Sequence, residues 1–169
     1  MKTWLNVGLD GLIAGCVLSD CDEFRIALWR IWDASKPVLG MGLLNPSKAT
    51  HLETDPTVTR QCVRATRLGY GGLLIFNSDP VRETDRAVAI KRAGRCAENE
   101  AWVRWLATGC AAVIAGWGPD AAKFGGDKIM KRALAGIPLM ALRVNADGSP
   151  GHPLYIGYDV RPQPYRIAA

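Results

Sequence analysis

Three polar signals interrupt the apolar runs of this chain: Asn45-Pro46-Ser47, Asn77 before Ser78-Asp79-Pro80, and Gly151-His152-Pro153. Two sit at the ends of runs that read as buried strands, and the third lies in the loop after another. In a parallel arrangement all three converge on one sheet edge, where open α/β sheets place their sites. Singly, each has a plain explanation. Asn before Pro forms turns, Asn77 can end a strand in a turn, and a His in a Gly/Pro loop is commonly solvated. Their joint placement favours a site. The chain contains no GxGxxG, no P-loop glycine–lysine pattern and no GxSxG elbow. The chemistry open to it is hydrolysis by polar side chains and water.

Other polar residues cluster nearby. Asp55 reads as a helix cap whose carboxylate can also orient a water or a ligand. Lys48 and His51 lie in a polar loop and read as solvated. Arg60, Arg64 and Arg67 read either as an exposed helix face or as phosphate contacts. The two histidines have no ligand spacing with a cysteine, so no zinc site is expected. Cys16, Cys21, Cys96 and Cys110 match no common iron–sulfur run. No cofactor and no metal are expected.

Positioning these residues requires strands and capped helices. Val38–Leu44 is a short apolar run with Gly40 and Gly42, too short for a helix, and Pro46 stops it. Asp55-Pro56 starts a helix to about Leu68, with Gly69 as its cap. Leu73–Asn77, Ala111–Ala115 and Pro138–Leu142 read as three further core strands. Helices are expected at Asp85–Ala93 (capped by Thr84), at Glu98–Ala107 and from Asp120 to Gly136. Leu12–Leu18 and Phe24–Trp32 predict a β-hairpin, with Phe24, Ile26 and Leu28 on one face. The tail with Pro162 and Pro164 reads as irregular. Four apolar strands separated by helices predict a parallel sheet with helices on both faces.

The 169 residues fit a single domain spanning 1–169, and no apolar stretch is long enough to span a bilayer. The N-terminus is read as lacking a signal peptide, because Asp10 interrupts its apolar part. Five scattered cysteines suit reduced thiols in a cytoplasmic protein. A net charge of +5 permits a polyanionic partner without requiring one. A monomer is expected.

The motifs Arg30-Ile31-Trp32-Asp33, Leu44-Asn45-Pro46-Ser47, Asp55-Pro56-Thr57, Gly69-Tyr70-Gly71-Gly72, Phe76-Asn77, Gly116-Trp117-Gly118 and His152-Pro153-Leu154-Tyr155 occur in that order. Together they resemble a bacterial and phage family catalogued as domain of unknown function 1643, over about residues 16–157. More distantly, the pattern is similar to the uracil-DNA glycosylase superfamily. That resemblance implies a three-layer α/β/α fold around a central four-stranded parallel sheet, here with an N-terminal β-hairpin addition. It implies that Asn45 holds the hydrolytic water, Asn77 reads the edge of a flipped base and His152 stabilises the departing base. Asp55 is a further catalytic candidate. Pro46, Ser47, Phe76 and Tyr70 would complete the base pocket, with the two aromatics as candidate stacking platforms. Lys48, Arg60, Arg64, Leu154 and Tyr155 would meet DNA.

The implied chemistry is coherent. Breaking an N-glycosidic bond develops negative charge on the base, where a hydrogen-bond donor acts most strongly. The expected function is therefore release of a modified or damaged base from DNA. Hydrolysis of a free modified nucleoside or nucleotide, and inert nucleic-acid binding, are the alternatives.

Overall fold

The computed structural model describes every residue except Lys48, Arg95, Ala168 and Ala169, together with all their side chains but that of Arg86. Along the chain run β1 (Lys2–Val7), β2 (Ile13–Leu18), β3 (Arg25–Ile31), β4 (Val38–Leu43), α1 (Pro56–Arg67), β5 (Gly72–Asn77), α2 (Arg86–Arg92) and α3 (Asn99–Thr108). Then follow β6 (Ala112–Ala115), a 3-10 helix (Pro119–Phe124), α4 (Gly126–Ala133), β7 (Leu139–Ala141), a 3-10 turn (Pro153–Tyr155) and β8 (Gln163–Tyr165).

All eight strands join one mixed sheet in the order β1-β2-β3-β5-β4-β6-β7-β8. This corrects the expected four-stranded parallel core with a hairpin attached. The pairings β1–β2, β2–β3, β3–β5 and β7–β8 are antiparallel, while β5–β4, β4–β6 and β6–β7 are parallel. The N-terminal segment forms a three-stranded meander whose last strand pairs directly with β5, so it extends the main sheet. The tail is also a strand. Pro164 is tolerated because β8 is an edge strand, where a missing N–H breaks no ladder.

Two apolar cores sandwich the sheet. Val58 and Ala65 of α1 pack over Leu39, Met41, Leu43, Leu73 and Ile75 on one face. Val103 and Leu106 of α3 and Met130 of α4 pack over Phe76, Val113 and Trp117 on the other. In β3 the simple alternation fails. The register shifts between Val17–Ala27 and Leu18–Arg25, leaving Ile26 as an extra, bulged residue. Ile26 and Ala27 then share the α3/α4 face, and Leu28 takes the α1 face. The expected common face for Phe24, Ile26 and Leu28 is thereby overturned.

Helix starts follow local chemistry. Asp55 accepts from the Val58 backbone N–H at 2.7 Å with Pro56 as the first helical residue. Asp85, rather than Thr84, caps α2 by accepting from Ala87 and Val88. The helix expected from Asp120 is split at Gly125, which adopts a left-handed φ of 77° between the 3-10 helix and α4.

Candidate functional site

The parallel block has its switch point at β4: the chain leaves it through α1 toward β5, and later returns on its other side as β6. Crevices at the carboxyl ends of such strands are where open sheets bind ligands. A cleft of about 320 Å³ opens there, lined by Leu44 and Asn45 after β4 and by Trp117, Gly118 and Pro119 after β6. Thr84, His152, Leu154 and Tyr155 complete it. The loop that carries His152 is drawn in by Gly118, whose N–H donates to the Pro150 carbonyl at 3.0 Å. Gly116 is required by close approach, since a Cβ there would stand 2.9 Å from Pro153 Cδ. Trp117 is 2% exposed and forms a rigid wall.

Asn45 is held by its neighbours. Its Nδ2 donates to the carbonyls of Glu83 at 2.8 Å and Pro46 at 3.2 Å. Two carbonyl acceptors fix the orientation of the amide, because only an NH₂ can face both. Oδ1 is therefore the end turned away from those two carbonyls. Pro46 is buried, and its carbonyl also accepts from the Glu83 N–H at 3.0 Å. At His152, Nδ1 accepts from the Leu154 N–H at 3.4 Å, so the neutral ring carries its proton on Nε2.

Asn77 ends β5 level with Leu43 of β4, on the same sheet edge, but it does not line the cleft. It is 1% exposed, and neither Nδ2 nor Oδ1 has a hydrogen-bond partner among the described residues. A buried amide left unmatched costs about 1–3 kcal/mol per group, which native structures seldom tolerate without a reason.

Several expected residues have other work. Asp55 spends one carboxylate oxygen on the Val58 N–H and the other on the Ser47 hydroxyl, whose oxygen also accepts from the Ala49 N–H. Both residues brace the loop. Phe76 points into the α3/α4 core and is fully buried, because alternation in β5 puts it opposite Asn77. Tyr70 precedes β5 and so lies at the amino edge of the parallel block, away from the cleft. Neither aromatic is a stacking platform. Arg60 and Arg64 donate to the carbonyls of Ile156 and Gly157 rather than presenting a free face. Leu154 and Tyr155 do reach the cleft, with Tyr155 85% exposed. Lys48 lies outside the described residues.

Sequence reasoning missed Trp117 as a cleft wall, although the Gly116-Trp117-Gly118 motif signalled it. It also missed Arg25 and Arg30. The bulge in β3 turns Arg25 inward, where Nη1 donates to the Ala49 carbonyl at 2.7 Å. Arg30 Nη2 donates to the Thr50 carbonyl at 2.5 Å and to that of Glu53 at 3.3 Å. Two largely buried cations thus pin the loop between Asn45 and Asp55. Burial pushes the Arg25 guanidinium down to about 10, partly offset by the Asp55 carboxylate. His51 stacks on Trp4 with ring centroids 5.4 Å apart, on the far side of that loop.

The sequence profile described as Protein of unknown function (DUF1643) matches residues 25–154. The chain belongs to the DUF1643 family. In this DUF1643 protein the matched span begins at Arg25 and ends at Leu154, so it includes every residue lining the cleft except Tyr155. No curated protein and no solved structure matches the chain. Among the described residues of this DUF1643 chain, no group of three His, Cys, Asp or Glu could hold a metal ion. No described helix is long and apolar enough to cross a membrane.

Proposed function

We propose that this DUF1643 protein hydrolyses the N-glycosidic bond of a modified or damaged base in DNA. One observation carries the reading: an oriented amide, Asn45, and an oriented imidazole, His152, line the same crevice at the sheet's switch point. The Asn45 Oδ1 positions a water at the anomeric carbon, where an oxocarbenium-like centre needs placement more than a strong base. The water oxygen bonds to that carbon as the bond to the base nitrogen breaks, and the nitrogen keeps the electron pair. The proton shed by the water passes through solvent to the departing base anion. The His152 Nε2–H donates to the base as it gains negative charge. Trp117 and Leu44 supply a flat apolar wall for the base. Exposed Tyr155 and neighbouring Leu154 suit contact with an opened duplex.

A second reading, a free modified nucleoside as substrate, has an observation in its favour. Arg60 and Arg64 are committed to backbone carbonyls, which removes two expected phosphate contacts. The deciding experiment is mass spectrometry of free bases released by the purified protein from modified DNAs and from modified nucleosides. Release from DNA supports the first reading, and release from nucleosides alone the second. No release from either, with salt-sensitive DNA binding, returns an inert nucleic-acid-binding module.

A further inference from the structure

Helix α1 spends its basic face on one irregular segment. Arg64 is 1% exposed, and its guanidinium donates from Nη2 to the Ile156 carbonyl at 2.7 Å, from Nη1 to the Gly157 carbonyl at 3.1 Å and from Nε to Gln61 Oε1 at 3.2 Å. Arg60 Nη2 reaches the same Ile156 carbonyl at 3.0 Å. The Tyr158 ring lies under Arg60 at 4.5 Å, Arg67 at 4.6 Å and Arg64 at 5.4 Å. Burying a guanidinium is costly unless its donors are met, so this arrangement resists displacement. The clamped residues follow directly on the 3-10 turn that His152 caps, and the other end of that turn is wedged by Pro153 against Gly116. We propose that Arg64, aided by Arg60 and Tyr158, is a positioning residue that locks the His152 ring in one tautomer facing the cleft. This deepens the hydrolase reading and rests on His152 acting there.

The chain has two histidines, which makes the test direct. In ¹⁵N-labelled protein, with His51→Gln used for assignment, the ring nitrogens of His152 report the tautomer. The wild type is expected to show the Nε2–H form. Arg64→Met, Arg60→Gln and Tyr158→Leu should average it toward a mixture while circular dichroism still shows a folded chain. Arg64→Lys, which cannot fork to two carbonyls, should fall between. Arg67→Ala, which loses only a ring stack, should leave the tautomer unchanged. On the substrate released in the base assay, kcat should fall by up to about 10²-fold with KM little changed, the scale of a roughly 1 Å misplacement. If Arg64→Met does not fold, Arg60→Gln and Tyr158→Leu, at partly exposed positions, carry the test. Unchanged His152 signals in the folded variants overturn the clamp even if the wild type releases a base. A shifted tautomer with no base released by wild type keeps the clamp and removes the hydrolase reading.

Discussion

The side-chain amide of Asn45 donates to the backbone carbonyl of Glu83, 2.8 Å away and 38 residues along the chain. The residue expected to hold a water is therefore also a tie between two loops. Asn45→Ala should lower stability by about 1–2 kcal/mol, because a partly buried carbonyl loses its donor. It should also lower the single-turnover rate by about 10²-fold or more with ligand affinity nearly kept, as when one key polar group is lost. Chemical denaturation and single-turnover base release measure the two effects separately. A stability loss with an unchanged rate would leave Asn45 as a structural tie alone.

Asn77→Leu should behave oppositely. Replacing a buried amide with no partners by an apolar side chain of similar size should raise stability by about 1–3 kcal/mol. Base discrimination should be unchanged in the same variant, because Asn77 is buried and does not line the cleft. Thermal melting and a panel of modified substrates are the readouts. A stable Asn77→Leu that no longer discriminates would return Asn77 to the recognition role.

Phe76→Leu separates core from pocket. Phe76 packs with Trp117 and Met130 on the α3/α4 face, so the variant should lose about 1–2 kcal/mol through incomplete refilling of the core. Ligand affinity should change less than twofold. A fall in affinity well beyond the fall in stability would restore Phe76 as a stacking platform.

Salt dependence tests the arginine face. DNA affinity should fall with salt at a log–log slope of about −0.9 per phosphate neutralised. Arg60→Gln should leave that slope unchanged, because its Nη2 already serves the Ile156 carbonyl. A slope shallower by about one unit in Arg60→Gln would return Arg60 to the phosphates.

Thiol reactivity should follow the local environment. The Ser19 hydroxyl holds the exposed Cys21 thiol below its ordinary value, whereas burial pushes Cys62 up to about 11 and Cys110 up to about 12. A lowered value enriches the thiolate near neutrality and a raised one depletes it, leaving roughly one part in 10³ or less at Cys62 and Cys110. Alkylation at pH 7.5, followed by peptide mass spectrometry, should label Cys21 well before either. Simultaneous labelling of Cys62 would show that α1 opens readily.

What was legible in the sequence was local. The apolar run ending at Asn45-Pro46, the Asp55-Pro56 helix start and the strand ending at Asn77 depend on neighbours a few residues away, and the structure keeps them within a residue or two. The family could also be read from ordered motifs. Sheet edges could not: β1 and β8 owe their state to β2 and β7, and a proline-bearing tail becomes a strand only because an edge is there to accept it.

Charge and parity were decided by tertiary structure alone. Arg60 and Arg64 have the spacing of a solvated helix face, yet the segment 156–158, far along the chain, takes up their donors. A single bulged residue, Ile26, reverses the facing of β3 and turns Arg25 from a surface charge into a buried anchor for the loop after Asn45. Spacing along a chain specifies which residues share a face. What that face meets depends on the carbonyls, rings and strands that folding brings against it.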